Sequence, residues 1–192
     1  AFTTILDAAK LTGRLPGGMT LGAFDAVAQH ETGIGGGTIE PVTNYGVVRL
    51  RQDLRKGESS IGAIVTTVNR DNDTFSDPYM HKSAYAGGLD FRHRFTGGRY
   101  ELSGSVAMSR VAGSPEAIAG TQLGSTHYYQ RPDAFRFDPT RTSLSGDLEA
   151  IQFGKVSGKH LNFQTNYERH SPGFEINDLG YLQRGDQQVW AT

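Results

Sequence analysis

Apolar and polar residues alternate with a period of two along most of this chain, most clearly between Tyr85 and Val111. Before a Thr96-Gly97-Gly98 turn, Tyr85, Leu89, Phe91 and Phe95 occupy odd positions, with Asp90, Arg92 and Arg94 between them. After the turn, Tyr100, Leu102, Val106 and Met108 occupy even positions, interleaved with Glu101, Ser103, Ser105 and Ser109. Period two on both sides of a Gly turn predicts a β-hairpin with one apolar and one polar face. Each arm runs about thirteen residues, against a usual strand length nearer five or six.

The same pattern predicts strands at about Thr3–Gly13, Met19–Gln29, Asn44–Leu54, Glu58–Asn69, Arg141–Lys155 and Lys159–Glu168, with a ninth opening near QQVWAT. Phe24, Ala26 and Ala28 lie opposite Asp25; Gly46, Val48, Leu50 and Leu54 lie opposite Tyr45, Arg49 and Arg51. Leu144 and Leu148 alternate with Ser145, Asp147 and Glu149, and Leu161, Phe163 and Tyr167 alternate with His160, Asn162, Gln164 and Glu168. Two strands do not declare a face. In the first, Asp7 and Lys10 fall on opposite parities, and the fourth is apolar on both. Inside the longest connection, Ala112–Thr140, the run Ser114-Pro115-Glu116 supplies an N-cap, a proline at the first helical position and a carboxylate near the positive dipole end. It predicts a short helix over Pro115–Leu123.

Short turns near positions 16, 57, 97 and 158 alternate with connections of about a dozen residues or more, the asymmetry of bacterial outer-membrane barrels. A propeller or solenoid of similar period would need a repeated motif, and the segments share none. The expected fold is therefore all-β: an antiparallel up-and-down transmembrane β-barrel segment of about eight or nine long strands, with one short helix in the longest loop. Parity requires Leu89 and Phe91 to face the same side as Leu102 and Val106. A two-residue turn then pairs Arg92 with Glu101, and a four-residue turn pairs Arg94 with Glu101. An Arg at the lipid midplane costs about 2–4 kcal/mol. Asp25, Arg49, Arg51, Asp90, Arg92, Arg94, Glu101, Asp147, Glu149 and Glu168 are accordingly expected to line an interior lumen. Their mixed signs suit a self-neutralising wall better than a charge-selective pore. Phe95 and Tyr100, beside the short turn, are expected at the membrane interface; a dry sandwich core around them would refute that.

Nineteen basic against twenty acidic residues leave no net field for a nucleic-acid partner. There is no cysteine, hence no disulfide framework and no thiolate metal site. No apolar run reaches the roughly eighteen residues of a membrane helix, which does not bear on barrel strands. The N-terminal stretch lacks the charge and apolar core of a signal peptide. Both termini look like strands entered part-way, so residues 1–192 are expected to be a single segment of a longer wall, partnered by the rest of that barrel and by outer-membrane lipid.

Candidate chemistry is sparse. In the long loop, His127, Tyr128, Tyr129, Arg131 and Asp133, with Phe135 and Arg136, mix ring faces with charged groups. That suits a carbohydrate or other polar small molecule, unless the loop simply packs into the barrel mouth. Asp71, Asp73 and Asp77 lack the glycine and terminal glutamate of a calcium loop and read as solvated. Gly33, Gly35, Gly36 and Gly37 do not form a dinucleotide fingerprint. The six histidines have no ligand spacing, and no G-x-S-x-G elbow exists. No catalytic residue, cofactor or metal is assigned, and an enzyme is the less favoured class.

Several stretches, in order along the chain, resemble a family of bacterial outer-membrane barrel proteins, the domain of unknown function 5916. They are AAKLTGR, TVNRD, YAGGLDFRHRF, GSPEAIA, YYQRPDA, DPTRTSLSG, SGKH and SPGFEINDLGYLQRGD. Members join this barrel to an N-terminal domain resembling a family-9 carbohydrate-binding module, so the resemblance implies glycan handling at the bacterial outer membrane. It carries over no catalytic residues. The expected function is binding or passage of a polar solute, with carbohydrate the implied class. The alternatives are a hydrolase embedded in the barrel, or a soluble all-β binding domain.

Overall fold

The alternation resolves into β1 (Ile5–Arg14), β2 (Met19–Ala28), β3 (Glu31–Thr32), β4 (Thr38–Glu40), β5 (Thr43–Leu54), β6 (Ser59–Arg70), β7 (Ser83–Phe95), β8 (Tyr100–Ala112), β9 (Ser143–Lys155), β10 (Phe163–His170) and β11 (Gln187–Ala191), with one α-helix among the described residues, α1 (Pro115–Leu123), and a 3-10 turn at Arg55–Gly57. The computed structural model describes residues 3–183, 185 and 187–192. Nine strands form one antiparallel sheet in the order β1-β2-β5-β6-β7-β8-β9-β10-β11; β3 and β4 make a separate small hairpin. Each long strand pairs with its predecessor, and β1 and β11 lie at the two edges of the described sheet.

The β7–β8 hairpin takes the four-residue turn. Arg94 pairs with Glu101 and Phe95 with Tyr100, and left-handed backbone at Thr96, Gly97 and Gly98 closes the turn. Most strand ends move by one or two residues from the expected ones, and two starts show a local cause. β9 starts at Ser143, because Asp138 accepts hydrogen bonds from the Thr140 N–H and hydroxyl and holds the preceding residues in a turn. β10 starts at Phe163, which pairs with Lys155, so the Ser157-Gly158 pair lies in a longer loop and not in a tight turn.

Cross-strand register sorts the side chains. One row runs Leu21–Leu50–Ala63–Leu89–Val106–Glu149–Arg169. The row beside it, on the opposite face, runs Thr20–Arg51–Gly62–Asp90–Ser105–Ala150–Glu168. The first belongs to an apolar face that nothing among the described residues covers: Leu89 is 61% exposed and Val106 53%. The second belongs to a polar face. There Arg49 and Asp90, two strands apart, pair directly across Gly62. A Cβ at Gly62 would sit 2.5 Å from the Arg49 guanidinium.

Seven of the ten expected lumen charges, Arg49, Arg51, Asp90, Arg92, Arg94, Glu101 and Glu168, share this polar face. Asp25, Asp147 and Glu149 do not. They lie on the face of Leu89 and Val106, where Asn44 donates to Asp25 at 3.1 Å and Arg169 meets Asp147 at 2.8 Å and Glu149 at 3.6 Å. The alternation within β2 and β9 is as expected, but the pairing turns Leu144 and Leu148 toward the polar face.

The reason is tertiary. A small core of Val68, Ala84, Val111, Ile118, Tyr129 and Leu144 forms at the loop end of the polar face, where α1 and the segment after β10 fold down onto the sheet. Phe174 of that segment is 1% exposed, and its backbone passes so close to β9 that a Cβ at Gly146 would lie 2.1 Å from the Phe174 nitrogen. Only a residue without a side chain fits there. Gly146→Ala is therefore expected to cost about 1–3 kcal/mol by overpacking. The check is a lower unfolding midpoint together with faster protease cleavage within 171–183.

A polar cleft at the loop end of the sheet

Ser114 caps α1 by accepting from the Ala117 N–H at 3.2 Å, while its hydroxyl donates to the Asp77 carbonyl at 2.7 Å. The cap thus fixes the helix to the 71–82 loop as well as starting it. Ile118 and Gln122, one turn apart, are fully buried, and Gln122 exchanges hydrogen bonds with the backbone of Asp138. This places Thr121 on the flank of the helix that faces the 71–82 loop.

There it meets His81. The Thr121 hydroxyl lies 2.7 Å from His81 Nε2, and His81 Nδ1 lies 2.7 Å from an Asp178 oxygen. The other Asp178 oxygen accepts from Arg70 at 2.5 Å, and Arg70 also donates to the His81 carbonyl at 3.0 Å. Burial pushes the Asp178 carboxyl up, but the His81 hydrogen bond and charge, with the Arg70 pair, outweigh it and hold it below the usual range.

A second pair lies alongside. His127 Nε2 meets Glu175 at 2.6 Å and its Nδ1 meets the Pro172 carbonyl at 2.7 Å. Both neighbours, a carboxylate and a carbonyl, present acceptor oxygens to the ring. Burial raises the Glu175 carboxyl, and the His127 bond followed by the Asn177 N–H reverses the direction to a net lowering. Together with Glu40, Tyr45 and Tyr79 these residues line a cleft of about 400 Å³. A neighbouring cleft of about 410 Å³, further down the polar face, brings together Arg51, Asp90, Arg92, Ser105, Glu168 and Trp190. A hollow of about 680 Å³ is lined by apolar-face residues such as Leu50, Leu89 and Ile151 and offers little beyond apolar contact.

The five ligand candidates of the long loop separate. His127 lines the loop-end cleft. Tyr129 is 5% exposed in the core, with the Arg141 guanidinium 5.8 Å over its ring. Tyr128, Arg131 and Asp133 are exposed away from the cleft lining, the last two as a 3.5 Å pair. Asp73 is held by the Thr38 hydroxyl and then by the Ser76 and Phe75 N–H groups, all of which depress its carboxyl. Among the described residues no cluster of three ligating side chains forms a metal site. The cleft residues that pattern alone misses are Arg70, His81, Thr121, Glu175 and Asp178. Three of them lie inside stretches that carry the family resemblance, TVNRD and SPGFEINDLGYLQRGD, and that was the one available signal.

The two buried carboxylates make stability pH-dependent in a defined direction. Their folded values lie below the unfolded ones, about 3.9 for Asp and 4.3 for Glu. Their contribution is therefore complete above that range and is lost as the pH falls through the lowered folded values. Protease cleavage of the 171–183 segment should rise as the pH drops below about 4. Glu175→Gln should flatten that response. Replacing His127 by Leu leaves a buried carboxylate unpaired and is expected to cost about 3–5 kcal/mol in an unfolding titration.

No curated protein and no solved structure matches this chain. A family model does, over residues 1–192. The chain belongs to the family described as Domain of unknown function (DUF5916).

Proposed function

We propose that this chain is part of the wall of a bacterial outer-membrane β-barrel whose polar face binds or passes a polar solute, carbohydrate being the class its lining fits. The observation that carries the reading is the division of the sheet into one uncovered apolar face and one polar face that receives α1 and the segment after β10. Along β7 the apolar face runs from Tyr85 to Phe95, about 34 Å at 3.4 Å per residue. Strands tilted by about 40° reduce this to a band of about 25 Å, the height of the lipid-facing belt of such barrels. At the short-turn end, Phe95, Tyr100 and Phe153 stack with centroids 5.6–6.3 Å apart, an arrangement suited to an interfacial aromatic girdle. Three of the charges on the apolar side pair with one another, Arg169 with Asp147 and Glu149, which lowers their cost near lipid. Two clefts of about 400 Å³ on the polar face, with tyrosine rings, carboxylates and arginines, provide the stacking and hydrogen-bonding groups that hydroxylated ligands use.

The chain has no cysteine, so single replacements report accessibility cleanly. In liposomes, Leu89→Cys and Val106→Cys should resist a water-soluble maleimide while Ser105→Cys reacts. Equal reactivity at all three, or a chain that stays in solution without detergent, would sink the membrane reading. Leu89→Arg should reduce the stability of the inserted protein by about 2–4 kcal/mol. Trp190 is the sole tryptophan and lines the second cleft, so oligosaccharide binding there should shift its emission. An emission unchanged across neutral and acidic oligosaccharides, together with no bilayer conductance, would remove the solute role.

A further inference from the structure

We infer that Thr121, His81 and Asp178 form a hydroxyl-activating relay that cleaves short-chain carboxylic esters of polar alcohols in the loop-end cleft. The geometry is that of a nucleophile, a base and an orienting carboxylate in line: 2.7 Å from Thr121 Oγ1 to His81 Nε2, and 2.7 Å from His81 Nδ1 to Asp178. Base and carboxylate are nearly buried, at 13% and 10% side-chain exposure, while Thr121 is half-buried and opens on the cleft. The proton inventory sets the direction. Asp178, ionised, can only accept, so Nδ1 donates to it, and in the neutral form of the ring Nε2 is the acceptor that faces Thr121. The Thr121 hydroxyl has one proton and two acceptors in reach, the Ala117 carbonyl at 3.2 Å and His81 Nε2 at 2.7 Å. The nearer one makes His81 its general base.

The step balances within the chain. The Thr121 oxygen bonds to the ester carbonyl carbon as its proton passes to His81 Nε2. The tetrahedral adduct expels the alkoxide, which takes that proton and leaves as the alcohol. Water then attacks the acyl-threonine, His81 taking its proton and returning it to Thr121 as the carboxylic acid departs. Donors in the cleft without another acceptor among the described contacts, the Tyr79 hydroxyl and the Asn177 side-chain amide, are the groups available to the developing oxyanion. Substrate class follows from the lining. The cleft is polar and about 400 Å³, so the acyl part is small and the alcohol is hydroxylated. The choice of a sugar alcohol rests on the carbohydrate reading above; the esterase step does not.

The test uses the whole detergent-solubilised protein, p-nitrophenyl acetate and a fluorophosphonate probe. A burst of p-nitrophenol and a probe adduct mapped by mass spectrometry to Thr121 are expected. Thr121→Val should abolish both, Thr121→Ser should keep both, and His81→Gln or Asp178→Asn should slow acylation by about 10²–10⁴-fold. A purely structural role for the three residues predicts no adduct on the wild-type chain. That result, an adduct elsewhere, or equal labelling of Thr121→Val overturns the inference. Thr121 labelling in a protein whose Leu89 and Val106 cysteines react with water-soluble maleimide would leave the relay standing and remove the membrane reading alone.

Discussion

The carboxylate of Asp178, 10% exposed between Arg70 at 2.5 Å and His81 at 2.7 Å, ties together the loop end of the sheet. Arg70 ends β6, His81 belongs to the loop leading into β7, and Asp178 sits in the segment after β10. Through His81 the same contact reaches Thr121 on α1. A carboxylate is buried at this depth only if its charge is paired and its oxygens are hydrogen-bonded, and here both conditions are met. The partners therefore depend on one another. Removing Asp178 frees a buried arginine, and removing Arg70 leaves a buried anion short of one of its partners.

That arrangement decides which face of the sheet is covered. Ile118 and Phe174 come down on the side that also carries Val68, Val111 and Leu144, because α1 and the 171–183 segment are fastened there by Asp178 and by the His127–Glu175 pair. The opposite face is left with Leu50, Leu89 and Val106 uncovered. The middle of the polar face keeps its charges in register instead, with Arg49 reaching Asp90 over Gly62 and Arg94 reaching Glu101 at 2.6 Å.

Legibility in the sequence varied with the range of the forces involved. The β7–β8 hairpin could be read in all but its turn length, since its alternation is clean on both arms and its turn glycines are local. Either turn length put an arginine opposite Glu101, and Arg94 proved to be the one. The start of α1 was equally plain, because a serine cap and a following proline act within one turn. β9 was misread in orientation. Leu144 and Leu148 looked like members of the apolar face, whereas one of them packs beneath α1, and Asp147 and Glu149 point the other way as partners of Arg169. Of the five loop candidates, His127 lines the cleft and Tyr129 fills the core under Arg141.

By itself, the sequence determined the all-β class, the long two-faced strands, the short turns near positions 16, 57 and 97 between longer loops, and the α-helix of the longest loop. All of these follow from a period of two, from glycine and proline geometry and from capping, which act over a few residues. Only the tertiary structure decided which face each of Asp25, Asp147 and Glu149 would take, and only it assembled the cleft. Thr121 and Asp178 stand 40 and 97 positions from His81, and no local pattern relates them. Side-chain facing within a strand is a property of the chain, but the face a whole strand presents is set by its pairing register and by what packs against it.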